Sequence, residues 1–211
     1  MKPYGDLWFP DDELLSVELR AKLDEQHGYH GDRLLEALGQ VKDFSVAVDC
    51  GAHVGTWTRV LADRFERVLA FEPDADSAAC LLKNTEGMPN VERHEYALGE
   101  KAGHARLERN KGRMGNFIGY GSGILVDRLD ELRLERCGYM KVHANGYELP
   151  VLKGAVNTIR RCRPVMTVVF KPKAETTARY GYTTQELEKF VLGLGYKPGT
   201  GTKPYKVFVP A

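Results

Sequence analysis

The run SVAVDCGAHVGTWTRVLADRF, Ser45 to Phe65, followed by VLAFEP at Val68–Pro73, constrains this chain more than any other stretch. Apolar Val46–Val48 ends in Asp49, Gly51 and Gly55 fall in a turn, and a helical pattern opens behind them. A second apolar run then ends in an acid, Glu72. Strand, glycine turn, helix, strand and terminal acid suit an adenosine. The glycines let backbone approach the ligand, the helix start offers free N–H groups, and the acid takes ribose hydroxyls. Counted from Gly51, a dinucleotide fingerprint requires glycines where this chain has His53 and Thr56. A pyrophosphate cradle is therefore disfavoured, and an adenosine without phosphates, such as S-adenosylmethionine, fits better.

The 211 residues, 43% of them hydrophobic, suffice for one sizeable core, so a single domain over residues 1–211 is expected. A net charge of +1 gives no global footprint for nucleic acid, although a local basic patch would still allow it. Cys50, Cys80, Cys137 and Cys162 show neither a CxxC pair nor ligand spacing, which points to a reducing compartment and no structural zinc. Acids at Asp6, Asp11 and Asp12 argue against a signal peptide, and no run reaches the ~18 apolar residues of a membrane span. A soluble, cytoplasmic protein without membrane contact is the expectation.

Along the chain, Pro10-Asp11-Asp12-Glu13 reads as the start of a helix carrying Leu14, Leu15, Val17, Leu19 and Leu23. A second helix runs from Asp32 to Leu38. Residues 1–40 would form a helical cap on the ligand edge of a catalytic core over 41–211, and offer a face for a homodimer. Strands are expected near Ser45–Asp49, Arg67–Phe71, Val91–Tyr96, Tyr139–His143, Pro164–Phe170 and Lys206–Val209. Helices are expected near Gly55–Phe65, Ala75–Asn84, Glu148–Arg160 and Thr184–Leu194. This alternation argues for an α/β fold, a mostly parallel sheet covered on both faces. Gly195–Val209 reads as a closing β-hairpin. Asn110–Ile124 stands apart, with Gly112, Gly115, Gly119, Gly121 and Gly123 among Lys111, Arg113, Phe117 and Tyr120. So many glycines make a poor helix or strand, and the stretch reads as a surface loop or a substrate lid.

DCGAHVG, AFEP, NVERHEYALGEKAG (Asn90–Gly103), LVDRLDEL (Leu125–Leu132) and MKVHANGYELPVLKGA (Met140–Ala155) form an ordered series. The series resembles the FkbM family of S-adenosylmethionine-dependent methyltransferases, over about residues 40–172. The resemblance implies a Rossmann-like class I methyltransferase fold, with a seven-stranded sheet whose last strand is antiparallel. It also implies S-adenosylmethionine as methyl donor and a small-molecule or sugar hydroxyl as acceptor. Asp49, Gly51, Ala52, His53 and Gly55 match the family's cofactor loop, with His53 where Asn is usual. Glu72 matches the ribose acid, while Tyr96 and Ala97 fall where adenine rests.

The family's iKiDvEG block carries an Asp and a Glu at the end of the fourth strand. Here those positions are His143 and Asn145, with Lys141, Gly146 and Glu148 retained. After the fifth strand Lys171 (or Phe170, one residue earlier) stands where the family tends to have Glu. Imidazole, amide and ammonium make a poor site for Mg²⁺ or Ca²⁺, so metal-independent chemistry is expected. His143 would serve as general base and Lys171 as a fixed cation that stabilises a developing alkoxide, with Asn145 a further catalytic candidate at the same strand ends. Alternatively both cations bind an anionic acceptor, the acceptor is a nucleotide or nucleic acid, or the chain binds the cofactor without catalysis. His27 and His30 are too few ligands for a metal, and Glu148 reads as a helix-start acid that could still reach the acceptor. Asp127 and Asp130 read as helix-start residues in a turn.

Overall fold

A computed structural model of the chain describes residues 1–24, 29–109, 116–170, 177–201 and 204–211. The N-terminal strands β1 (Lys2–Tyr4) and β2 (Leu7–Phe9) pair as a hairpin, and helices α1 (Val17–Leu23) and α2 (Gly31–Leu38) follow. Strand β3 (Val46–Cys50), α3 (Thr56–Ala62), β4 (Arg67–Phe71), α4 (Ala75–Asn84) and β5 (Val91–His94) form the first half of the main sheet. A small second sheet comprises β6 (Ala97–Leu98), β7 (Gly103–Glu108) and β8 (Phe117–Asp127). The main sheet resumes with β9 (Tyr139–Val142), followed by α5 (Glu148–Lys153), α6 (Val156–Cys162) and β10 (Val165–Val169). Helix α7 (Thr184–Gly193) and strands β11 (Tyr196–Pro198) and β12 (Tyr205–Pro210) close the chain.

The seven strands run in the order β11-β12-β10-β9-β3-β4-β5. From β10 to β5 all neighbours are parallel, while β12 lies antiparallel to both β10 and β11. The expected mixed sheet with an antiparallel last strand is thus present. Strand alternation sends Val46, Val48 and Cys50 toward α5, α6 and α7, while Ala47 faces α2 and α3. Both faces are covered, which is why β3, β9 and β10 are buried at every position.

Several local expectations are corrected. The helix foreseen from Pro10 begins only at Val17, because the hydroxyl of Ser16 takes the N–H of Leu19 and caps it there. The hairpin ahead of it has strands too short for a period-two signal. The third strand stops at His94 rather than Tyr96. The helix foreseen over Glu148–Arg160 breaks at Gly154, where a Cβ would lie 1.8 Å from the carbonyl oxygen of Gly99. Asp130 restarts it by accepting the N–H groups of Asn157 (3.0 Å) and Thr158 (2.8 Å).

The glycine-rich stretch is the largest difference. Residues 110–115 lie outside the described part, but Phe117–Ile124 belongs to a strand. Its pairing with β7 jumps from Ala105↔Ile124 to Arg106↔Gly119, so residues 120–123 bulge outward. Gly121 (φ 138°) and Gly123 (φ 128°) supply the backbone that this bulge needs. Gly119, Gly121 and Gly123 therefore belong to a kinked strand, not to the absence of one.

Of the N-terminal residues, Phe9, Leu19 and Leu23 line a cavity at the edge of the sheet, whereas Leu34, Ala37 and Leu38 of α2 are built into the core face.

Candidate active site

The glycine turn lies where β3 is flanked by β4 on one side and β9 on the other, the point at which the strand order reverses. Gly51 (φ 76°) and Ala52 both donate their N–H groups to the carbonyl of Phe71, each at 3.0 Å. A Cβ on Gly51 would lie 2.0 Å from the carbonyl oxygen of His143, so only glycine lets the turn pass this close to the end of β9.

Glu72 follows β4 and is buried. Its Oε2 accepts the N–H of His53 at 2.8 Å and its Oε1 the N–H of Asp74 at 2.9 Å. Burial raises its carboxyl above the ordinary range against the opposing pull of His53 and those two N–H bonds. Each oxygen retains a further lone pair, and Glu72 lines the adjoining cavity.

Beneath the turn, Asp49 is fully buried and is not part of the cavity wall. Its Oδ2 accepts the hydroxyl of Thr58 (2.7 Å) and its Oδ1 the ammonium of Lys141 (2.7 Å). Lys141 also donates to the carbonyl of Gly51 at 2.7 Å. Asp49 thus acts on the glycine turn through Lys141, and Lys141 itself lines the cavity.

The cavity encloses about 290 Å³ and runs past this turn. Phe71, Pro73, Ala97, Leu98 and Ile118 form an apolar section, and Tyr29, Trp57, His143 and Tyr205 contribute aromatic walls. The aromatic rings pack on one another: Trp57 stacks on Tyr205 at 5.3 Å, and His143 meets Tyr205 edge-on at 5.9 Å. Trp57 is further fixed by donating its indole N–H to the carbonyl of Tyr29 at 2.8 Å. Burial raises the Tyr205 phenol well above its ordinary value, so it stays neutral.

Gly51, Ala52, His53, Glu72, Ala97, His143 and Asn145 all line this cavity. Gly55 sits at the N-cap of α3 with φ 91°, where a Cβ would meet Leu81 at 2.7 Å. Tyr96 packs edge-on against Phe71 (5.4 Å) and His94 (5.4 Å) and does not line the cavity. Asn145 (φ 51°) donates its amide to the carbonyl of Asn116 at 3.1 Å. Lys171 and His27 lie outside the described residues. Glu148 is buried behind the site, accepting the N–H of Ala144 at 3.0 Å, so it braces the His143–Gly146 loop. Among the described residues no three His, Cys, Asp or Glu side chains come together as a metal site.

Sequence reasoning assigned no role to Asp74, Asn116, Trp57 or Tyr205. Asp74 accepts from Arg109 (2.9 Å) and from the amide of Asn116 (3.2 Å), pinning the second sheet against the cavity. The N–H of Ile118 donates to the hydroxyl of Tyr180 at 3.1 Å, and Arg179 pairs with Glu108 on the same sheet. Asn116 and Ile118, from the stretch read as a loop or lid, therefore form cavity wall.

These residues fit S-adenosylmethionine. Gly51 keeps a cradle open that any side chain would fill, Glu72 offers acceptors for ribose hydroxyls, and the apolar section suits adenine.

A family model, the methyltransferase FkbM domain, matches residues 49–198. No curated protein matches the chain. The fold is similar to that of a methyltransferase FkbM from Methylobacillus flagellatus KT, at 18% identity and a TM-score of 0.56. That match covers 91% of this chain, which spans only 57% of the Methylobacillus protein. A SAM-dependent methyltransferase from Aquifex aeolicus is similar at 13% identity and a TM-score of 0.50, covering 94% of this chain and 93% of that one. An rRNA methylase from Streptococcus thermophilus is similar at 13% identity and a TM-score of 0.54, covering 84% and 92% respectively. No helix among the described residues is long and apolar enough to cross a membrane.

Proposed function

This chain belongs to the FkbM methyltransferase family, and from that premise we propose that it transfers a methyl group from S-adenosylmethionine to a hydroxyl of a small molecule or sugar, without a metal. The observation that carries this reading is one cavity bordered by Glu72, Gly51 and His143 together. Glu72 takes the ribose hydroxyls on the lone pairs that the N–H groups of His53 and Asp74 leave free. Ala97, Leu98 and Phe71 hold the adenine, and the methionine end follows the turn from Gly51 to His53. When bound, S-adenosylmethionine supplies an electrophilic methyl group on a sulfonium.

The remaining work falls to the protein. His143 stands in the wall at the end of β9, where the family pattern carries an acid, and accepts the proton of the acceptor hydroxyl. Tyr205, neutral and edge-on to the imidazole, keeps that ring oriented. From the sequence alone, Lys171 is kept as the candidate for a fixed positive charge that would stabilise the developing alkoxide. Lys141 is not the base, because Asp49 and the Gly51 carbonyl already engage its ammonium. Imidazole and amide replace the acids that would hold a hard cation, which supports metal-free transfer.

Titration calorimetry with S-adenosylmethionine and S-adenosylhomocysteine tests the reading. Saturable one-to-one binding of both is expected, followed by methylated product when hydroxyl-bearing acceptors are screened. Binding of neither overturns the proposal. Binding with no product across acceptor classes, nucleic acid included, replaces the enzyme with a cofactor-binding protein.

A further inference from the structure

Glu13 is an acid without an obvious reason to be where it is. It stands in the turn between β2 and α1, its side chain is fully buried, and neither carboxylate oxygen has a hydrogen bond. The turn is held firmly: its N–H donates to the carbonyl of Pro10 (3.1 Å), and Lys2 donates to the carbonyls of Asp11 (2.8 Å) and Glu13 (2.7 Å). An isolated buried carboxylate is costly, so its location requires a partner. The group that faces it is Nε2 of His53, 3.4 Å from Oε2 and likewise buried without a hydrogen bond.

His53 belongs to the cofactor turn. Its backbone N–H is bonded to Glu72, its φ is 53°, and its side chain remains one-third exposed in the cavity wall. With ribose on Glu72 and adenine in the apolar section, the part of the cofactor left to pass His53 is the amino-acid end. We propose that Glu13 is a positioning residue that turns Nε2 of His53 away from the cavity, leaving Nδ1 for the amino-acid end of the cofactor. The N-terminal turn thereby becomes a specificity element, selecting cofactors that carry that end over adenosine thioethers that lack it. Phe9, Leu19 and Leu23, from the same segment, wall the cavity beside it. This inference rests on the proposal that the cavity binds S-adenosylmethionine.

The test compares S-adenosylhomocysteine with 5′-methylthioadenosine, which shares the adenosine and thioether but has no amino-acid end. Calorimetry on the wild-type chain, Glu13→Ala, Glu13→Gln, His53→Ala and the Glu13→Ala/His53→Ala double variant gives the comparison. Glu13→Ala and His53→Ala should each weaken S-adenosylhomocysteine by about 10-fold or more, the scale of a hydrogen bond to a charged group. Methylthioadenosine should change by less than about 2-fold, and the double variant should be no worse than His53→Ala, because the two residues act as one unit. Glu13→Gln, which keeps the shape and an accepting oxygen, should recover most of the loss. Equal weakening of both ligands, or losses that multiply in the double variant, would overturn the inference while leaving the cofactor site intact. Failure of the wild-type chain to bind either ligand removes the S-adenosyl reading and this inference together.

Discussion

Lys141 and Asp49 face each other across the β3–β9 pair as register partners, their charged ends 2.7 Å apart in the interior. The same ammonium holds the carbonyl of Gly51 at 2.7 Å, so one buried ion pair fixes the turn on which the cofactor is proposed to lie. The pair therefore joins the core of the sheet to the site chemistry.

Removing one partner strands the other charge. Lys141→Met is expected to cost about 3–5 kcal/mol of stability, read from urea denaturation. Replacing both, as in Asp49→Val/Lys141→Met, should recover most of that loss, because a well-packed apolar pair avoids desolvation. Cofactor affinity should stay weakened in the double variant, since the Gly51 carbonyl has lost its clamp. Recovery of affinity along with stability would show that the turn does not depend on Lys141.

Gly51→Ala and Gly181→Ala separate backbone strain from collision. Both glycines have positive φ, 76° and 72°, but a Cβ at Gly181 meets nothing within 4 Å whereas one at Gly51 reaches the His143 carbonyl at 2.0 Å. Gly181→Ala should cost about 1–2 kcal/mol of stability and leave cofactor binding unchanged. Gly51→Ala should abolish detectable cofactor binding, because the turn must move away from β9. Similar affinity in the two variants would refute this account of the cradle.

His143→Ala should lower kcat by about 10²–10⁴-fold while the affinity for S-adenosylmethionine barely changes. Activity of the wild-type chain should survive millimolar EDTA. A rate lost to EDTA and restored by Mg²⁺ would return a metal to the mechanism, and an unaltered rate in His143→Ala would remove the imidazole from it.

Glu72 connects pH to both folding and binding. Burial raises its carboxyl above 4.5, so the folded chain holds a proton there more tightly than the unfolded chain does. That group's contribution to stability is greatest at low pH and is lost as pH rises through the raised value. If Glu72 takes the ribose hydroxyls as proposed, they donate to its ionised carboxylate, so cofactor affinity should run the other way, strengthening as pH rises through the same window. Glu72→Gln should flatten the affinity profile measured by calorimetry between pH 4.5 and 8. A wild-type profile that Glu72→Gln reproduces would exclude Glu72 as the titrating group.

Much of the fold was legible because its signals are local. The strands around Val46–Val48 and Val68–Phe71, and the helices over Ala75–Asn84 and Thr184–Gly193, follow from short-range periodicity. The bulged β8 was not, because its glycines carry meaning only against the register of β7. The break at Gly154 was equally hidden, since it depends on the carbonyl of Gly99, far away in sequence.

By itself the sequence determined the alternating strands and helices of the main sheet, the glycine turn at Gly51 and the acid at Glu72, because spacing within a few residues encodes them. Asp49 was legible only as a residue of the glycine turn and Lys141 only as a position in the block after Met140; nothing local named them as a pair. Tertiary structure alone decided that Asp49 supports the turn through Lys141, that Tyr96 lies away from the cavity, and that Glu13 meets His53. Those assignments depend on which side chains the sheet and its N-terminal turn bring within a few ångströms. Pairwise proximity across long sequence separations is a property of the packed chain, and short-range patterning carries no record of it.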